Sequence, residues 1–292
     1  EDTLSLHDAL PILEKVIRAM SLLEMLKLSG CPFCFKGGSA LMLILGESAH
    51  RLSIDIDIIC PPGTDIEPYL KDIEKFGFIS KTLEERQQRD TNIPKSHSKF
   101  FYHIAYKNDD KPAYILLDVL YEDLQYHATE EVEIKGPFIE LDGEPLKVTV
   151  PSADDILGDK LTAFAPNTSG IPYVKGGRDR SLEIIKQLYD VGRLFEHTDN
   201  FLHTKETFTQ IGKIELQYRG LPTDLSLIYE DIRKTALCLA TRGQMGKGDF
   251  KMLQNGIKKI DGYIYKGKYR IEDAIIDSAR AAYLATSIEK SN

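Results

Sequence analysis

Cysteine is scarce: Cys31, Cys34, Cys60 and Cys238 are the only four in 292 residues. That is too few for a disulfide framework and points to a reduced, cytosolic protein. No apolar run approaches the ~20 residues needed to cross a bilayer, so no membrane partner is expected. No signal-peptide pattern is seen either. Internal repeats and low-complexity tracts are missing, which excludes a solenoid. Positive charge is not in excess. The 37 Lys and Arg face 45 Asp and Glu, for a net −8. This excludes a protein that is basic all over, but not one with a basic patch. Familiar chemical signatures are also lacking: there is no G-x-x-x-x-G-K-[ST], no G-x-G-x-x-G and no G-x-S-x-G. The seven histidines show no ligand spacing. Cys31-Pro-Phe-Cys34 has no second pair to complete a zinc site. It leads into a strand, whereas a redox pair opens a helix.

What remains is a globular composition, 42% hydrophobic and 28% charged, long enough for one large or two ordinary domains. Residues 1–12 (EDTLSLHDALPI) look like a translated adapter scar and are set aside as a non-native leader. Periodicity predicts helices at 13–28 and 40–45, the second capped by Ser39, and another at 66–76. Strands are predicted at 33–36, 54–60, 99–107, 114–121, 131–140 and 147–150, with turns at 108–110 and 142–143. From Pro151 onward helical patterns dominate, at 153–164, 181–196, 205–211, 225–240, 249–265 and 271–288. The turn-rich stretch 166–180 reads as a loop between two helices. The expected class is α+β: a mixed sheet with flanking helices over 13–150, then a helical domain over 151–292.

Charge is segregated. Residues 109–159 hold 14 acids and three bases, while 233–270 hold ten bases and two acids, with Tyr263, Tyr265 and Tyr269 among the last bases. That segment suits either an RNA surface or an ordinary solvated helix face, or a dock for a protein partner.

The most informative stretch is FKGGSALMLILGESAHRLSIDIDII, residues 35–59. Gly37 and Gly38 end a strand and let a ligand approach the backbone. Ser39 follows at a helix N-terminus, where free N–H groups and the helix dipole attract anions. Asp55 and Asp57 lie two apart on a strand, so they leave one face while Ile54, Ile56 and Ile58 leave the other. Adjacent carboxylates repel, and a hard cation such as Mg²⁺ resolves that repulsion. Asp118, in the apolar run Tyr114-Ile-Leu-Leu-Asp-Val-Leu-Tyr121, needs a metal, a base or a proton if buried. Were its strand beside 54–58, three carboxylates would converge as phosphoryl transfer requires. Lys160 stands on the apolar side of its helix, where it either snorkels or meets an anion. Asp190 is either a surface i,i+4 partner of Lys186 or a site residue.

Taken in order, F-K-G-G-S-A-L, R-L-S-I-D-I-D, an apolar strand with one acid, D-K-L-T-A-F and K-Q-L-Y-D-V resemble the AbiEii-type nucleotidyltransferases. These are toxin halves of abortive-infection toxin–antitoxin pairs, in the polymerase-beta-like superfamily. The resemblance spans about residues 35–195. It implies nucleotide binding by Lys36, Gly37, Gly38, Ser39, Arg51, Ser53 and Lys160. It implies Mg²⁺, two ions with the NTP, on Asp55, Asp57 and Asp118, and catalytic roles for these three acids with Lys160 and Asp190. The family has a short basic stretch between the Lys and Asp motifs, which 166–180 lengthens here. The implied reaction moves a nucleoside monophosphate from NTP to an RNA acceptor such as a tRNA 3′ end, releasing pyrophosphate. A cognate antitoxin is an implied partner. The alternatives are the same chemistry on a small-molecule or protein hydroxyl, and a catalytically inactive binding module.

Overall fold

A computed structural model of the chain describes residues 6–84, 94–106, 111–136, 138–140 and 142–291; the turn expected at 108–110 lies outside them. The chain divides into two units, Glu1–Leu124 with Thr129–Pro151, and Gln125–Ala128 with Ser152–Asn292.

The first unit is built on a five-stranded sheet, order β1-β2-β5-β4-β3, from β1 (Cys34–Lys36), β2 (Ile56–Cys60), β3 (Ser80–Glu84), β4 (Lys95–Tyr102) and β5 (Ala113–Tyr121). Only β2 and β5 run parallel; the other neighbours are antiparallel. One face is dry: Ile56, Ile58, Phe100, Tyr102, Ile115 and Leu117 are all buried. Helix α1 (Leu6–Leu28) packs against β2 and β5 and brings Ala19, Leu22, Leu23 and Leu26 into this core. Their three- and four-residue spacing is the apolar stripe of an amphipathic helix. Each fully buried side chain contributes about 1.5–3 kcal/mol of transfer free energy. On β5 the alternation leaves Leu116, Asp118 and Leu120 half-buried on the opposite face. Helix α2 (Gly37–Leu45) leads directly out of β1. A second sheet pairs β6 (Thr129–Glu133) with β7 (Lys147–Pro151).

Several local expectations change. α1 starts at Leu6, so it takes in residues set aside as leader. The helix expected at 66–76 is two 3₁₀ turns, Glu67–Leu70 and Ile73–Phe76, parted where Asp72 leaves helical geometry (φ −96°, ψ 29°). β3 was not foreseen, and β6 stops at Glu133, well before residue 140. Ser39 does not cap α2. Lys36 holds the N-cap position, and the Ser39 hydroxyl donates instead to the Asp55 carbonyl at 2.6 Å.

The second unit is helical: α3 (Ala153–Ala163), α4 (Ser181–Phe195), α5 (Phe201–Tyr218), α6 (Ser226–Ala240), α7 (Phe250–Ile260) and α8 (Ile271–Lys290). α3 packs on α4 and α5, and α4 on α7 and α8. Buried Asp155 secures the start of α3, accepting from His127 N (2.8 Å), Ala128 N (3.1 Å) and the Ser152 hydroxyl. The loop after α3 is not structureless. β8 (Val174–Lys175) and β9 (Arg178–Asp179) form a hairpin across Gly176 and Gly177, whose φ angles of 59° and 73° are those a two-residue hairpin turn demands. Asp231 on α6 pins the loop's first part, accepting from Asn167 N (2.8 Å), Asn167 Nδ2 (2.6 Å) and Thr168 Oγ1 (2.8 Å). Among the described residues, no helix is long and apolar enough to cross a membrane.

Candidate active site

The sheet register lines up the chemistry. Lys36 pairs with Asp57, Asp57 with Asp118, and Asp118 with His97, one row across β1, β2, β5 and β4. Register partners leave the same face, and neighbouring strands lie about 4.8 Å apart. Asp57 and Asp118 are therefore side by side on the half-buried face. Asp55 sits just before β2 and is exposed, while Ile56 and Ile58 are buried and Asp57 is half-buried. The period-two reading holds within the strand, over Ile56-Asp57-Ile58, while Ile54, itself half-buried, and Asp55 precede it.

The glycines are held open by the same residues. Gly37 has φ +79°, and a Cβ there would overlap the Asp57 carboxylate. A Cβ on Gly38 would stand 2.8 Å from Ser53 Oγ and 2.9 Å from Arg51 Nη2. The structure thus brings Asp57, Arg51 and Ser53 onto the first residues of α2. Arg51 is buried and donates from Nη1 to the Leu52 carbonyl at 3.1 Å. A guanidinium beside the positive end of a helix dipole is an arrangement that an anion stabilises.

Among the described residues, no set of three or more His, Cys, Asp or Glu is grouped as a metal cage. The donors still fit Mg²⁺ in kind. That ion takes oxygen ligands, keeps several waters, and is held by one or two carboxylates together with substrate phosphates. Asp57 and Asp118, next to an anion-attracting helix end, supply such a pair.

Asp118 is half-buried, and of the three partners expected for it the structure supplies a base. His97 Nδ1 lies 2.5 Å from Asp118 Oδ1. Sequence reading passed over His97, because the pairing joins positions 21 apart that only the sheet brings together. Its one local trace is the alternation of Lys95 to Tyr102, which puts His97 opposite buried Ser98 and Phe100.

Lys160 and Asp190 belong to the second unit and meet each other. Lys160 Nζ lies 3.0 Å from Asp190 Oδ2 and donates to Gln187 Oε1 at 3.0 Å, with both ionic side chains buried. Asp190 is thus buried rather than on the surface, and Lys186 Nζ sits 3.6 Å over the Tyr263 ring. In the basic segment, Arg233, Lys234, Arg242 and Lys259 pair with Glu289, Glu230, Glu272 and Asp179. Tyr269 is buried and donates to Asp277 Oδ2 at 3.0 Å, so it is no stacking platform. All four cysteines are reduced and buried, and the partner of Cys31 is Cys60 rather than Cys34.

A proposed nucleotidyltransferase from Helicobacter pylori superposes with a TM-score of 0.50 at 16% identity, over 96% of each chain, and shares the fold. JHP933 from Helicobacter pylori gives a TM-score of 0.48 at 16% identity, over 95% of this chain and 90% of that one. MenT4, a nucleotidyltransferase toxin of Mycobacterium tuberculosis, gives 0.45 at 12% identity, over 97% and 87%. No curated relative matches the chain. The family model for the nucleotidyl transferase AbiEii toxin of type IV toxin–antitoxin systems matches residues 21–256. That span takes in every site residue named above, and the chain belongs to this family of nucleotidyltransferase toxins.

Proposed function

We propose that the chain transfers a nucleoside monophosphate from an NTP to an RNA acceptor such as a tRNA 3′ end, with Mg²⁺ bound by Asp57, Asp118 and Asp55 and pyrophosphate leaving. The observation that carries this reading is the Asp57–Asp118 pair in register beside Gly37, where only a residue without Cβ leaves room for the Asp57 carboxylate. The N-terminal amides of α2, with Arg51, Ser53 and Lys36, hold the triphosphate. Ser39 ties α2 to the Asp55 backbone and so keeps the glycine turn against the acids. Bound Mg²⁺ would neutralise phosphate charge and orient the groups for in-line displacement. Asp118 takes the proton of the attacking hydroxyl as the new O–P bond forms. The family resemblance also implies catalytic roles for Lys160 and Asp190, and the proposal includes them. A cognate antitoxin is the protein partner this reading expects.

The test incubates the purified chain with Mg²⁺, each α-labelled NTP in turn, and either total RNA or total protein. Label entering RNA from one NTP, lost in Asp57→Asn, supports the reading. Label entering protein instead moves the acceptor to a protein hydroxyl. No label in any pool, and no growth defect on expression, argues for an inactive binding module.

A further inference from the structure

We infer that His97 is a positioning residue, whose Nδ1–H holds the Asp118 carboxylate in the orientation that serves the metal. The inference rests on the reading of Asp118 given under Proposed function. Four observations lead to it. The imidazole and carboxylate are register partners on β4 and β5, and Nδ1 to Oδ1 is 2.5 Å. The His97 backbone is paired on both sides, to Asp118 on β5 and to Glu84 on β3, so the ring is borne by an interior strand rather than a loop. His97 is the more buried partner, 20% exposed against 38% for Asp118, so the carboxylate is the more open of the two. Asp118 also stands beside Asp57 in register, and like charges there push the two carboxylates apart.

An ionised carboxylate only accepts hydrogen bonds, so the contact places the imidazole proton on Nδ1. With Oδ1 engaged, the other oxygen is left for the cation. Metal-binding carboxylates that are oriented in this way lose about 10–100-fold in metal affinity or activity when the orienting partner is removed.

The test compares His97→Leu, His97→Gln and His97→Asn in the full chain. An asparagine amide reaches where Nδ1 stands, and a glutamine amide reaches where Nε2 stands. The readout is Mn²⁺ binding in the presence of NTP, followed by the electron spin resonance signal of free Mn²⁺, alongside melting temperatures in metal-free buffer. His97→Leu and His97→Gln are expected to weaken Mn²⁺ binding about 10–100-fold, and His97→Asn to stay near wild type. Wild-type affinity in His97→Leu and His97→Gln would overturn the inference. So would losses that follow the fall in melting temperature rather than the position of the amide. A wild-type chain that binds no Mn²⁺ with NTP would instead overturn the metal-site reading itself, and His97's role with it.

Discussion

At the scale of single residues, one side-chain contact in each unit matters most, His97 with Asp118 and Lys160 with Asp190. Asp118 meets His97 at a half-exposed place, open to solvent. Lys160 meets Asp190 in the interior, where the two charges must neutralise each other. A buried pair is expensive to break and cheap to replace whole. Lys160→Met should therefore destabilise the protein by about 3–5 kcal/mol, since buried Asp190 loses its cationic partner. The double variant Lys160→Met/Asp190→Leu should recover most of that loss in urea unfolding. A double variant that folds well yet transfers no nucleotide would show that the pair serves the reaction as well as the fold. One with full activity would remove both residues from the proposed site.

At the scale of elements, Asp277 on α8 gives a test of helix packing. Its carboxylate lies against Gly192 of α4, where a Cβ would overlap it. It accepts from Tyr269 Oη at 3.0 Å and Arg280 Nη1 at 3.1 Å, and Arg193 is also close. Burial pushes its pKa up to about 6, against the pull of these donors. A carboxyl raised in the folded state stabilises fully below its unfolded pKa, near 4, and loses that contribution as pH rises through about 6. The unfolding free energy of wild type relative to Asp277→Asn should thus fall between pH 4 and 6, by up to about 3 kcal/mol, and level off above. A pH-independent difference would mean that the group titrates alike in both states. Elements also mark the limit of what the sequence discloses. β2 was legible because Ile-Asp-Ile-Asp-Ile alternates with period two, and the helices because their apolar residues recur every three or four. β3 was not, since Ser-Lys-Thr-Leu-Glu carries no such pattern and gains its strand form from pairing with β4. The site followed the same rule. Gly37, Gly38, Asp55 and Asp57 sit in one 25-residue motif and could be read together, whereas His97–Asp118 and Lys160–Asp190 exist only through pairings made by the fold.

At the scale of the whole molecule, the net −8 conceals a basic stretch at 233–270 that is less positive in effect than its composition. Four of its ten bases pair with acids from outside the segment. Lys251, Lys258 and Lys266 are exposed and are the better candidates for phosphate contacts. Changing all three to glutamine should lower the slope of log affinity against log salt for RNA by about 2. Unchanged affinity and slope would assign this surface to solvent or to a protein partner.

The central claim is that Asp57, Asp118 and the glycine turn of α2 form one magnesium–nucleotide site. Calorimetric titration of NTP into the wild-type chain and into Asp57→Asn, each with and without Mg²⁺, tests it most directly. The account predicts NTP binding that depends on Mg²⁺ in the wild type and is lost in Asp57→Asn. Binding indifferent to both the cation and the carboxylate would contradict it.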